Sequence, residues 1–276
     1  MERIKLRNNI ELPVMSIGTN RMSYDKMFSI ISGAMDAGIT FIDTARDYGN
    51  EPVVGDVLHK IMREQNLARD NLFVTTKVGN SQQFGKDMFK QIDLSLRNLQ
   101  LDYLDLWLLH WPYPELYVEN LYQMAEICKS GKVRAFGVAN CRVRHLKILE
   151  TANLRPFAIQ IEHHPFRHSE DILTYCADHH IQVEAYSPFC FMIDKLRNNP
   201  VLLSIARKHN KSLGQVVLRW HYQHHVIPVF RSENPKRFKE NADIFDFELD
   251  KEDLLVIRTL DEDYKFIPES LHCPGY

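Results

Sequence analysis

Four side chains in the first half of the chain could together reduce a carbonyl group: Asp43, Tyr48, Lys77 and His110. A carbonyl that accepts hydride develops negative charge on oxygen, so it needs a proton donor. Tyr48 offers a phenol, but a free tyrosine has a pKa of about 10 and is a sluggish acid–base group at neutrality. An ammonium a few ångströms away favours the phenolate and lowers that value, which is the part expected of Lys77. Lys77 would lose its proton if buried alone, and Asp43 would keep it charged. His110 could orient the carbonyl and stabilise the growing oxyanion. Asp43 and Lys77 alone would more often be a structural ion pair. Tyr48 and His110 beside them, on adjacent strands, complete a coherent general-acid site and make catalysis the expected reading.

These residues need a frame that brings strand ends together. The sequence alternates short apolar runs with stretches of helical period. Strands are expected at Met15–Gly18, Thr40–Thr44, Phe73–Lys77, Leu104–His110, Ala135–Asn140, Ala158–His163, Ile181–Tyr186 and Val226–Phe230. Between them, Leu121, Met124, Ala125 and Cys128 make one helical stripe and Met88, Ile92, Leu96 and Leu99 another. Gly38 and Gly131 read as helix stops. Before the first of these strands, KLRNNIEL predicts a hairpin turning on Asn8 and Asn9. Eight strands alternating with helices predict an α/β fold, a (β/α)8 TIM barrel with an N-terminal β-hairpin and extra helices at Val201–His209 and Leu213–Gln223. An open doubly wound sheet is less favoured, because no G-x-G occurs in the chain. One domain spanning residues 1–276 is expected, since barrels of this length fold as a unit.

In a barrel, function gathers at the C-terminal rim of the strands. There the sequence puts Asp43 and Tyr48, Lys77, His110 and Trp111, Asn140, Gln160, Tyr186 and Ser187, and Arg231. The segments FIDTARDYGNE, TTKVGN, LLHWP, GVAN, QIEHHP and AYSP follow one another in order and spacing. In this the chain resembles the aldo-keto reductase superfamily, in its short-loop bacterial type of aldehyde and ketone reductase, over nearly its whole length. The resemblance implies a (β/α)8 barrel, usually monomeric, that transfers hydride from NADPH, with NADH not excluded, to a small aldehyde or ketone. It implies Asp43, Tyr48, Lys77 and His110 as a catalytic tetrad. It implies Tyr186 stacking on the nicotinamide, Asn140 and Gln160 bonding its carboxamide, and backbone around Ser187–Phe189 meeting the pyrophosphate. Gly18, Thr19, Asn20 and Asp43 would border the cofactor, and Ser187 and Phe189 would contact it. In RSENPKRFKEN, the residues Arg231, Ser232 and Arg237 would hold the 2′-phosphate, and Glu240 and Asn241 the adenine. Asn20, Tyr48, His110 and Trp111 would face the substrate.

Some positions depart from the family pattern. Asn20 and Gly79 stand where relatives often place tryptophan, and Ala139 where many have serine. A wider, more polar pocket is expected, suited to a polar or bulky carbonyl compound. The net charge of -2 and the absence of a long basic run argue against nucleic acid. No leader-like or membrane-length apolar run is present, so no membrane partner and a cytoplasmic location are expected. Five scattered cysteines, without Cys-x-x-Cys, fit reduced thiols. The histidine doublets at 163–164, 179–180 and 224–225 are read as loop and surface residues rather than metal ligands. Asp93 and Asp105 are read as solvated, and Cys190 and Cys273 as inert thiols near the pocket. A non-catalytic nucleotide-binding barrel, acting as sensor or partner subunit, is the competing reading. A hydrolase or lyase using His110 and Asp43 would leave Tyr186, Asn140 and Gln160 unexplained.

Overall fold

The computed structural model describes residues 1–85, 87–232, 234–268 and 272–273. It opens with a hairpin of β1 (Arg3–Lys5) and β2 (Glu11–Pro13), paired antiparallel with Lys5 opposite Glu11. The turn differs from the expected one. Only Asn9 has positive φ, at 64°, and its N–H donates to the Leu6 carbonyl at 2.8 Å. Five residues separate the paired strands, so one left-handed residue suffices where a two-residue turn would need two.

Eight parallel strands follow among the described residues: β3 (Ser16–Gly18), β4 (Phe41–Asp43), β5 (Phe73–Val78), β6 (Leu104–Leu109), β7 (Val133–Ala139), β8 (Ala158–Glu162), β9 (Gln182–Tyr186) and β10 (Val226–Phe230). They pair in chain order, and β10 pairs back onto β3 to close the barrel. The predicted barrel and its hairpin are therefore present. Helices lie between successive strands and bury one stripe each. In the helix Met88–Leu99 the stripe is Met88, Ile92, Leu96 and Leu99, and Asp87 caps its start by accepting from the Lys90 N–H. Gly38 stops the first long helix, Tyr24–Asp36, at φ 80°. The extra helices are Pro200–His209 and Leu213–Gln223, the second opened by a reciprocal Ser212–Gln215 cap.

The barrel interior is layered. At its lower end Phe41, Phe73, Leu106, Leu108, Ala158 and Ile227 pack with Leu6, Ile10 and Leu12, so the hairpin plugs the floor with apolar side chains. Side chains two residues apart on a strand share a face. The next inward positions on β4, β5 and β8 are thus Asp43, Thr75 and Gln160, and polar chemistry sits directly above a dry floor.

Asp105 is not solvated. It is fully buried in β6, and it accepts from Arg69 Nη2 at 2.8 Å, Arg134 Nη1 at 2.7 Å and the Val74 N–H at 2.9 Å. It is a structural clasp outside the barrel wall. Its partners come from three distant segments, which sequence spacing does not connect.

Candidate active site

The segment DTARDYGNE builds the front of the site. After β4 the chain makes a short 3-10 turn, Arg46–Tyr48, ended by Gly49 at φ 67°. Asn50 then donates to the Thr19 carbonyl at 2.8 Å. Glu51, buried at the start of the helix Glu51–Glu64, accepts from Thr76 Oγ1 at 2.8 Å, Arg46 Nη1 at 3.0 Å and Asn98 Nδ2 at 3.1 Å. These bonds fix the turn from both sides, and Tyr48 with it.

Beneath Tyr48 lies a buried ion pair. Lys77 Nζ is 2.6 Å and 2.7 Å from the two Asp43 oxygens and 3.0 Å from the Thr44 carbonyl. The same ammonium is 5.3 Å from the centre of the Tyr48 ring. His110 stands edge-on to that ring, with centroids 6.1 Å apart. The four predicted residues thus meet at the C-terminal rim of β4, β5 and β6. Burial favours the neutral lysine, but Asp43 and then Tyr48 outweigh it, and the Lys77 pKa is raised. Lys77 is a cation here, held by Asp43 as expected.

The phenol does not follow the expectation. Burial pushes the Tyr48 pKa up, Lys77 pulls it down and Asp43 pushes it up again; the net direction is upward. The correction has a physical cause: the charge of Lys77 is largely neutralised by Asp43, leaving desolvation in command. Tyr48 is therefore a protonated phenol at neutral pH, the state a proton donor requires.

A fifth ionisable residue completes the cluster. Glu184 is fully buried on β9, opposite Gln160 on β8. The Gln160 amide nitrogen donates to Asp43 Oδ2 at 2.9 Å and to Glu184 Oε2 at 2.8 Å. Burial, then the charge of Asp43, push the Glu184 carboxyl up to about 8. Sequence reasoning missed this residue, although it shares a strand face with Tyr186 two positions on.

The sequence model of the Aldo/keto reductase family matches residues 13–262. Glyoxal reductase of Bacillus subtilis is 39% identical over 269 residues, 97% of this chain and 95% of that protein. Methylglyoxal reductase DkgA of Escherichia coli is 34% identical over 96% of each chain. The crystal structure of a Bombyx mori aldo-keto reductase in complex with NADP superposes with a TM-score of 0.92 at 30% identity, covering 100% of this chain and 98% of that one. The chain belongs to the aldo/keto reductase family. It is an NAD(P)H-dependent oxidoreductase.

The remaining predicted residues of this aldo/keto reductase fall into two groups. One stays beside the tetrad. Asn140 Nδ2 donates to the His110 carbonyl at 2.9 Å, and Tyr186 donates its hydroxyl to Asn140 Oδ1 at 2.8 Å. Trp111 is buried and stacks on His272 of the tail at 5.3 Å. Gly18 ends β3, and the Thr19 hydroxyl is buried with no hydrogen-bond partner. Ser187 turns the chain out of β9 at φ 53°, and Phe189 packs edge-on to Phe230.

The second group lies along the rim after β10. Arg231 donates to the Asn20 carbonyl at 2.9 Å, tying the first and last barrel loops together. Ser232 Oγ bonds the Asn234 carbonyl at 3.0 Å. Arg237 and Glu240 are exposed on the helix Arg237–Ala242, whereas Asn241 is buried.

The histidine doublets need a partial correction. His163 and His164 are fully buried, not on a loop surface. His163 stacks on Trp220 at 4.7 Å, and His164 lies 3.3 Å from Glu162 Oε1. His179 is half-buried on a surface pair with Glu150, and His180 and His225 are exposed. Among the described residues, no group of three or more His, Cys, Asp or Glu could hold a metal ion. Cys190 and Cys273 are buried, and burial raises the thiol of Cys273 to about 11, so both are poor nucleophiles.

Proposed function

We propose that this enzyme reduces small, polar carbonyl compounds with NADPH, and that 2-oxoaldehydes are its substrate class. The observation that carries the reading is Tyr48, a protonated phenol, seated above the buried Lys77–Asp43 pair with His110 at its edge. The similarity to glyoxal and methylglyoxal reductases supports the substrate class. So do Asn20 and Gly79, which give the rim no large aromatic side chain at those two places.

The chain's residues fit a dinucleotide. Gln160 spends its amide nitrogen inward, which leaves its oxygen for a carboxamide. Tyr186 and Asn140 stand beside it, and the orphan hydroxyl of Thr19 lies at the neighbouring strand end. Ser187–Phe189 would meet the pyrophosphate. Arg231, Ser232 and Arg237 would hold the 2′-phosphate, and Glu240 and Asn241 the adenine. NADPH supplies the hydride when bound. Tyr48 gives its proton to the carbonyl oxygen, and Lys77 stabilises the phenolate that remains. Asp43 holds Lys77 charged, and His110 places the substrate. All four groups come from one barrel, so we further propose that the single domain acts as a monomer. Its cysteines are free, and among the described residues no helix could cross a membrane; a cytoplasmic location fits both.

Fluorescence titration with NADPH and NADH, then turnover of methylglyoxal against propanal, tests the proposal. Tighter binding of NADPH and a higher kcat/KM for methylglyoxal are expected. Equal binding of both nucleotides would remove the 2′-phosphate assignment. A preference for propanal would remove the polar-substrate assignment, and binding of neither nucleotide would end the reading.

A further inference from the structure

The turn that presents Tyr48 also presents a carboxylate that the proposed function leaves without a task. Asp47 Oδ2 is 3.1 Å from His110 Nδ1 and accepts from the Asn80 N–H at 3.2 Å. Gly79 makes this approach possible, because a Cβ there would collide with the Asp47 carboxylate. The Asp47 side chain is one-third exposed and that of His110 half as much, so the pair sits at the mouth of the site.

Proton accounting decides what the contact does. Burial pushes the Asp47 carboxyl up, but its hydrogen bond and charge interaction with His110, and the Asn80 N–H, outweigh this, and its pKa lies below the ordinary value. Asp47 is thus a carboxylate, which can only accept. The proton between the two groups belongs to His110 Nδ1. A neutral imidazole carries one proton, so Nε2 is then a bare acceptor.

We propose that Asp47 is a positioning residue that fixes the proton of His110 on Nδ1, so that Nε2 donates to a substrate carbonyl only when the ring takes a second proton. The inference rests on the carbonyl-reductase reading above. A neutral ring instead accepts a hydrogen bond from a substrate hydroxyl. Reduction and alcohol oxidation therefore draw on opposite protonation states of one residue. Among the described residues, the charged groups that face the ring are Asp47 from the turn after β4 and Asp43 and Lys77 from β4 and β5, and the neutral phenol of Tyr48 stands edge-on to it; His272 of the tail faces Asp47. Burial lowers the His110 pKa most; the Asp47 hydrogen bond raises it, Lys77 lowers it, and the net direction is downward. The second proton is accordingly taken on the acid side of neutrality.

Two readouts test this. In 15N-labelled protein at pH 7.5, long-range 1H–15N correlation reports the histidine tautomer, with His110→Gln assigning the signal. The Nδ1–H form is expected in wild type. A shift toward Nε2–H is expected in Asp47→Ala and in Gly79→Ala, which keeps the carboxylate but displaces it. This needs no turnover, so it stands apart from any failure of the reductase reading. The second readout is kcat/KM for methylglyoxal reduction from pH 5.5 to 9. Wild type should fall as pH rises through one titration. Asp47→Asn should move that titration down by about one to three pH units, since the cation loses its counter-charge, so that the rise toward pH 5.5 seen in wild type is lost from this range. Asp47→Ala should flatten it, because a neutral ring can then donate from Nε2. A merely structural Asp47 would scale all rates and move no titration. An Nε2–H tautomer in wild type, or one pH profile shared by wild type, Asp47→Asn and Asp47→Ala, overturns the proposal.

Discussion

At the lower end of the barrel, Phe41, Phe73, Leu106 and Ile227 close on Leu6 and Leu12 of the hairpin. Two to four residues further along β4 and β5 stand Asp43, Thr75 and Lys77, with Gln160 two residues beyond the floor residue Ala158 on β8 and Glu184 beside them, all equally hidden from water. The lower layer gains stability from every apolar atom it removes from solvent. The upper layer does the reverse. Moving Asp43 and Lys77 out of water carries a desolvation penalty of several kcal/mol per ion, which their contact offsets only in good geometry. The comparison teaches that the strands carry one alternation and two chemistries. On β4, β5 and β8 polarity changes along the strand, and the change marks where the fold stops serving stability and begins serving the reaction.

The most direct way to sharpen that division is Tyr48→Phe. The ring stays and only the proton donor goes. kcat should fall by about two to four orders of magnitude, while NADPH affinity and thermal stability stay near wild type. Steady-state kinetics beside a fluorescence titration and a melting curve would check all three. Retained turnover would mean that another group donates the proton.

The converse is Phe73→Ala in the floor. Phe73 is 1% exposed and meets Phe41 edge-on at 4.5 Å. Removing it should cost about 3 to 5 kcal/mol of unfolding free energy, read by urea denaturation. The turnover number per folded molecule should not change, since nothing in the tetrad touches it. A large loss of kcat in the folded fraction would show that floor and roof are mechanically coupled.

The floor and the frame were legible in the sequence, because strands buried on both faces read as apolar runs. Most strand ends fell within a residue or two, and the tetrad followed from reading those ends in order. What was not legible depends on contacts between distant segments. Asp105 looked solvated, since nothing near it in sequence announces Arg69 and Arg134. His163 looked like a loop residue, since its partner Trp220 lies 57 positions away. Asp47 and Glu184 are not legible for the same reason: each gains its meaning from a residue of a distant segment, His110 or Gln160. The direction of the Tyr48 shift is not legible in the sequence, because charge can be assigned from sequence, whereas desolvation cannot.

Glu184 supplies the subtlest test of the two layers. Its carboxyl is raised from 4.5 to about 8 in the folded barrel, whereas an unfolded chain ionises it normally. Between these values the folded state holds a proton that the unfolded state has released, so stability falls as pH rises through that window. Below it both states are protonated and nothing is lost; above it the loss is complete. Glu184→Gln keeps the shape and removes the titration. The variant should therefore match wild type near pH 5 and exceed it at pH 8 to 9 by a margin on the order of a few kcal/mol, measured by denaturant unfolding across pH. Buried histidines work the other way: His221, lowered to about 4, makes wild type less stable as pH falls below about 6.5. That contribution is common to both proteins, so the difference between the two curves isolates Glu184. A difference that stays flat with pH would mean that the roof tolerates Glu184 and Asp43 as two carboxylates around one lysine, and that its departure from the floor is greater still.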